Sequence, residues 1–186
     1  MPTTLAALNE KIQSWKGCTL AETANPVLGE GNPQAKVMFI GEAPGQKEDE
    51  LKRPFVGAAG KFLDELLGTI NLKRENVYIS NVVKYRPPEN RDPTPEEKEQ
   101  CMPWLMLEIS IVKPKVIVPL GRHSLGHFFS SKTITEAHGK PFQLTDDLTV
   151  FPIYHPAAAL HNGNLRQSLY NDFKALGEYL KSQNLL

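Results

Sequence analysis

Residues 37–45 read Val-Met-Phe-Ile-Gly-Glu-Ala-Pro-Gly. Four consecutive apolar residues followed by a glycine- and proline-containing turn form the pattern of a short strand covered on both faces, because a half-exposed strand would alternate apolar and polar positions. Two further runs have the same character, Val-Tyr-Ile-Ser-Asn-Val-Val at 77–83 and Val-Ile-Val-Pro-Leu at 116–120, the latter closed by Gly121. Residues 140–144 and 148–154 flank Asp146 and Asp147 and predict a hairpin that feeds a fourth strand over 150–154.

The intervening segments carry helical spacing. Leu5, Leu8, Ile12 and Trp15 predict an amphipathic helix over 4–16, and Phe62, Leu63, Leu66, Leu67 and Ile70 predict another. Thr94-Pro95-Glu96-Glu97 is a helix start: a capping threonine, a proline at the first helical position and a glutamate three residues after the cap. That helix carries Cys101, Trp104, Leu105 and Ile109, with Pro103 expected in its first turns. A short helix holds Leu125, Phe128 and Phe129, and the last one aligns Leu165, Leu169, Phe173, Leu176 and Leu180. Residues 25–35 and the proline-rich stretch 86–95 read as loops. Strand and helix alternate, which predicts an α/β fold: a three-layer α/β/α sandwich around a central, mostly parallel four-stranded sheet, in a single domain spanning 1–186.

Composition removes several classes of function. The chain has 186 residues with 21 basic and 21 acidic side chains, so its formal charge is zero. A chain that coats nucleic acid or membrane through bulk charge is excluded, whereas a local basic groove is not. No apolar run approaches the length of a membrane span. The first fifteen residues alternate polar and apolar positions, unlike a signal peptide, and predict a cytoplasmic, intracellular protein. Two cysteines, Cys18 and Cys101, exclude a disulfide-rich scaffold and a four-cysteine zinc site.

In parallel sheets, ligands bind at the carboxyl ends of the strands. Those ends fall at Gly41-Glu42, Asn81, Gly121 and His155, and three of the four carry a functional side chain. A carboxylate at Glu42, beside a turn (Ala43, Pro44, Gly45) that exposes backbone N–H groups, can act on a bound electrophile; otherwise it is an incidental residue of a strand-ending turn. Asn81 offers a donor and an acceptor side by side for an amide edge, or it caps a turn. His155 can donate to a developing oxyanion, or it simply begins a helix. Phe55, on the loop Arg53-Pro54-Phe55-Val56-Gly57, is either a stacking platform or a pinned core residue. Each signal is weak alone, but chance convergence of all four on one crevice is much less probable than any single bland alternative.

GEAPGQKEDE, RPFVGAAGKFLDELL, VYISNVVKYRPPENRDPTPEE, IVPLGRHS and YHPAAAL occur in that order, and together they resemble the family 4 uracil-DNA glycosylases from about residue 18 to about residue 175. The related branch that captures uracil-DNA covalently is less similar, since its basic, histidine-bearing insert after the asparagine motif is missing. There is one departure. The family usually holds a four-iron cluster on four cysteines. Cys18 and Cys101 match two of them, Tyr85 stands at the third position, and the first N-terminal partner is missing, with Trp15 nearby. Two thiolates cannot ligate such a cluster alone, so the iron–sulfur cofactor is expected to be absent and its space filled by side chains.

The resemblance implies an enzyme of base excision repair that flips uracil from DNA and hydrolyses its N-glycosidic bond. Its partner is uracil-containing DNA, with no membrane association, and it acts as a monomer at the nucleoid. Phe55 would stack on the base, Asn81 would pair with the uracil amide edge, and His155 would hydrogen-bond O2. Glu42 would stabilise the sugar cation or orient water. Glu48 and Asp49 are taken to lie on the same loop as Ala43 and Gly45, all four at the base, and one of the two acids would crowd the base C5 position and exclude thymine. No metal is called for, uracil being a tolerable leaving group. Lys84, Arg86, Arg91 and Arg122 would hold phosphates, and residues 160–166, including Asn162 and Arg166, would form the wedge that fills the vacated stack. Two alternatives stay open: a glycosylase for hypoxanthine or xanthine, and a non-catalytic binder of damaged DNA.

Overall fold

The computed structural model describes residues 2–186, the side chain of His161 excepted. In chain order the elements are α1 (Leu5–Ser14), β1 (Glu30–Gly31), β2 (Val37–Gly41), α2 (Gln46–Leu51), α3 (Ala58–Thr69), β3 (Tyr78–Asn81), α4 (Pro95–Val112), β4 (Val116–Pro119), α5 (Arg122–Leu125), α6 (Ile134–Ala137), β5 (Phe142–Thr145), β6 (Leu148–Val150), α7 (Pro156–His161) and α8 (Gly163–Ser182). The sheet runs β1-β3-β2-β4-β6-β5. Its four inner strands are parallel, as expected, and an antiparallel strand is added at each edge, so the sheet has six strands rather than four. The extra strands are the two-residue β1, inside the stretch read as loop, and β5, the first arm of the predicted hairpin. Neither has a continuous apolar run, because neither is covered on both faces: β1 is partly exposed and three of the four β5 residues are exposed.

The alternation of side chains along β2 divides the core in two. Val37 and Phe39 pack with Phe62, Leu63, Leu66, Leu169 and Phe173, under α3 and α8. Met38 and Ile40 pack on the other face with Tyr85, Cys101, Leu105 and Val112, under α4. All five β2 residues are buried, which is why the strand is apolar throughout.

Helix α4 begins as its sequence dictates. Thr94 Oγ1 accepts from Glu97 N–H at 3.2 Å, while Glu97 Oε2 accepts from Thr94 N–H at 2.8 Å. Pro103 falls in the middle of this 18-residue helix, not in its first turns. Glu48 and Asp49 lie on α2 rather than on an open loop. The strand ends meet in register: Gly41 pairs with Asn81, and Leu120 bridges to Ile153, so Glu42, Asn81, Gly121 and His155 emerge along one edge of the sheet. No helix among the described residues is long and apolar enough to cross a membrane.

Candidate active site

That edge opens into a cavity of about 340 Å³, lined among others by Glu42, Ala43, Gly45, Glu48, Phe55, Asn81, Arg91, Asp92 and His155. Gly41 makes it possible. A Cβ there would overlap Asn81 Oδ1 and come 2.6 Å from Phe55 Cζ, so only glycine lets the amide and the ring approach the end of β2 together.

Phe55 sits at φ 52°, a left-handed conformation that costs a non-glycine residue free energy. Both sides of its loop are held. Arg74 donates to the carbonyl oxygens of Phe55, at 2.9 Å, and of Pro54, while Glu48 Oε1 accepts from the N–H groups of Val56 and Gly57 at 2.8 and 2.7 Å. Gly57 caps α3, so the Glu48 carboxylate also meets the positive end of that helix. The Phe55 ring stacks 5.7 Å from that of His155.

His155 caps α7, and its Nδ1 accepts from Ala157 N–H at 3.1 Å. The neutral ring therefore carries its proton on Nε2. Burial pushes the imidazole down to about 4, against the opposing pull of the Glu48 charge, so it stays neutral at physiological pH and keeps one N–H to donate. Asn81 is almost fully buried, and its Oδ1 has no hydrogen-bond partner among the described residues. An unpaired buried acceptor beside a cavity is suited to a ligand donor, since leaving it unmet is costly. Glu42 Oε1 lies 2.9 Å from Lys98 Nζ and 3.3 Å from His123 Nδ1, and His123 Nε2 is 3.2 Å from Asp92 Oδ2.

Two sequence assignments change. Lys84, read as a phosphate contact, is fully buried and paired with Glu108, because the chain folds back beneath β3 and carries the side chain inward. Asp49 turns away from the cavity and accepts from Asn25 N–H at 2.7 Å, since successive residues of α2 point in different directions. Glu48 is the carboxylate of that pair which faces the site. Arg91 lines the cavity but bonds Glu97 through both terminal nitrogens, at 2.9 and 2.6 Å. Arg86 donates to Asn90 and the exposed Arg122 lies 3.7 Å from Asp92. Asn162 caps α8, and Arg166 pairs with Glu65 and lies over the Phe62 ring. Leu160 is exposed on α7, while the His161 side chain of the expected wedge lies outside the described residues.

Lys98, His123, Asp92 and Arg74 were not singled out from the sequence. His123 was within reach, two residues beyond the strand-ending Gly121. Lys98 is one turn into a helix whose start was evident, but only its contact with Glu42 distinguishes it from its charged neighbours. Nothing local marks Arg74.

The uracil DNA glycosylase superfamily model matches residues 28–180. The chain belongs to this superfamily. It is 48% identical over 184 residues to the type-4 uracil-DNA glycosylase of Sulfurisphaera tokodaii, covering 94% of this chain and 84% of that one. It is 46% identical over 177 residues to the type-4 enzyme of Archaeoglobus fulgidus (90% and 89%), and 42% identical over 189 residues to that of Saccharolobus solfataricus (96% and 88%).

The four-cysteine cluster that the type-4 resemblance implies needs four thiolates, and this chain has two cysteines. Its donor set does not fit. Cys18 and Cys101 are buried and unpaired, and Tyr85, also buried, donates its hydroxyl to the Trp15 carbonyl oxygen at 2.6 Å. The Trp15 ring stands 5.9 Å from that of Tyr85 and 5.4 Å from that of Trp104. Burial pushes the Cys101 thiol up to about 12.

Proposed function

We propose that the protein is a monofunctional uracil-DNA glycosylase that acts on a flipped-out uracil and leaves an abasic site. The observation that carries this reading is the convergence of Glu42, Phe55, Asn81 and His155 on one cavity at the carboxyl ends of the strands. The names of the type-4 relatives support it.

The base enters the cavity with its face on Phe55, a contact worth about 1–3 kcal/mol. The unpaired Asn81 Oδ1 accepts from uracil N3–H while the amide NH₂ donates to O4. Cytosine presents the opposite pattern and would set like groups against each other. His155 donates its Nε2 proton in a hydrogen bond to O2. As the C1′–N1 bond breaks, its electron pair moves onto the uracil ring and that hydrogen bond strengthens, so it acts mainly on the transition state. Glu42, held by Lys98 and His123, faces the sugar side, where it stabilises the cation and orients the water that adds to C1′. Glu48 crowds the position a thymine methyl would take while bracing the Phe55 loop.

Arg91, which lines the cavity, and Arg86 and Arg122 would hold phosphates in place of their contacts with Glu97, Asn90 and Asp92, and residues 160–166 would supply the wedge. The protein works without iron, with the Trp15–Tyr85–Trp104 cluster and two buried thiols packing the space. In this reading the protein acts as a monomer in the cytoplasm, where nucleoid DNA lies.

Incubation with single-stranded DNA containing one uracil, followed by alkali, tests the reading. Strand cleavage at uracil, with none at cytosine or thymine, is expected. Binding without cleavage would make the protein a damage binder, and cleavage only at hypoxanthine or xanthine would reassign the base.

A further inference from the structure

Lys84 has no solvent exposure, and neither has Glu108 on α4. A lysine is rarely buried so completely, and removing two charges from water costs several kcal/mol per ion. The pair is therefore weak evidence for stability, and its value lies in what else it holds. All three ammonium protons are used. Nζ donates to Glu108 Oε2 at 2.7 Å, to Ser80 Oγ at 2.8 Å and to the backbone carbonyl oxygen of Asn81 at 2.8 Å. Ser80 Oγ in turn donates to Glu108 Oε2 at 2.7 Å.

Asn81 is the last residue of β3, where the ladder to β2 gives way to the turn. The N–H groups of Val82 and Val83 still bond to Gly41 and Glu42. The Asn81 carbonyl is tied instead by a charge-assisted bond from a side chain three residues on, which is itself fixed to α4. The peptide plane at Asn81 is thus clamped from beneath, by groups that do not line the cavity. A small rotation of that peptide would swing the side-chain amide, whose Oδ1 is left open toward the ligand.

We infer that Lys84 and Glu108 are positioning residues for Asn81, and that recognition of an amide-edged base depends on this buried ion pair. The inference rests on the reading of Asn81 as the group that contacts the base. It requires an ammonium at this position because only a cation with several donors can satisfy the carboxylate, the hydroxyl and the strand-end carbonyl together.

The test uses the double variant Lys84→Met/Glu108→Gln. It removes both charges at similar volume and leaves Ser80 an amide oxygen to donate to, so no charge is stranded. Three quantities are measured: the melting temperature, the affinity for abasic single-stranded DNA, and inhibition of single-turnover excision by free uracil, which reports the base pocket alone. The expected result is an intact fold and unchanged abasic-DNA affinity, with uracil inhibition weakened by roughly tenfold to a hundredfold, the scale on which a misplacement of about 1 Å acts. A folded double variant inhibited by uracil as strongly as the wild type overturns the inference. If it does not fold, Ser80→Ala, which keeps the ion pair and removes one acceptor, is expected to weaken uracil inhibition about threefold, and wild-type inhibition there overturns the inference equally. Asn81→Ala separates the two levels of argument: retained uracil inhibition in that variant removes the reading of Asn81 itself.

Discussion

Lys98 Nζ lies 2.9 Å from Glu42 Oε1, both side chains being largely removed from solvent. A carboxylate at a strand end is thereby aimed by a cation from the first turns of α4, a helix that also carries Glu108 beneath Asn81. Glu42→Gln removes the charge and nearly keeps the shape, so the single-turnover rate should fall sharply with little change in DNA affinity. Lys98→Met should lower the same rate about tenfold, because it removes the cation that faces the Glu42 carboxylate in a largely buried ion pair. A near wild-type rate for Glu42→Gln, with loss on changing Glu48, would assign the reacting carboxylate to Glu48.

His155 should act as a neutral donor over the whole physiological range. Its imidazole, pushed down to about 4 by burial, is neutral in the folded chain where the unfolded chain, titrating near 6.5, is charged. Its contribution to stability is therefore complete above about pH 6.5 and is lost progressively as the pH falls toward 4. Urea titrations at pH 7.5, 6 and 5 should show that decline in the wild type and a flatter profile in His155→Ala. The same variant should lose roughly 10²–10³-fold in the chemical step; normal excision by it would remove His155 from the site.

Exchanging Asn81 for Asp replaces the amide NH₂ with a second acceptor. Uracil excision should be lost, because O4 then faces a carboxylate, whereas the cytosine amine gains an acceptor. Gel assays on matched uracil and cytosine oligonucleotides check both signs. Undiminished uracil excision would contradict the proposed pairing.

The Phe55 platform depends on Arg74. Removing its two bonds to the loop carbonyls in Arg74→Met should release a backbone held in the left-handed region, costing on the order of 1.5–3 kcal/mol of stability. KM for uracil DNA should rise more than kcat falls, since stacking is made in the ground state as well. Unchanged KM and melting temperature would show that the loop holds itself.

Purified without exposure to air, the protein should be colourless and free of iron. Tyr85 is committed to the Trp15 carbonyl, and only two thiols are at hand. Changing both cysteines to serine should leave excision largely intact. About four iron atoms per chain, with visible absorption, would show that other donors complete a cluster.

Much of the site is legible in the amino-acid sequence itself. The apolar runs at β2, β3 and 150–154 locate their own ends, and in a parallel sheet those ends fall on one edge, so Glu42, Asn81 and His155 could be placed together from spacing alone. Phe55 needed more, because an aromatic on a proline- and glycine-containing loop is equally consistent with core. Its positive φ and its two-sided bracing by Arg74 and Glu48 belong to the tertiary structure.

The periodicity of apolar residues determined the layers of this protein, since burial on two faces of a strand or one face of a helix must be written locally into the chain. The partner of each charged side chain could not be written that way. Lys84 and Arg86 stand two residues apart in a polar-looking stretch, yet one is sealed against Glu108 and the other reaches Asn90. Whether a lysine meets a phosphate or a buried carboxylate depends on which distant element closes over it, and only the packing of α4 across the end of β3 decided that.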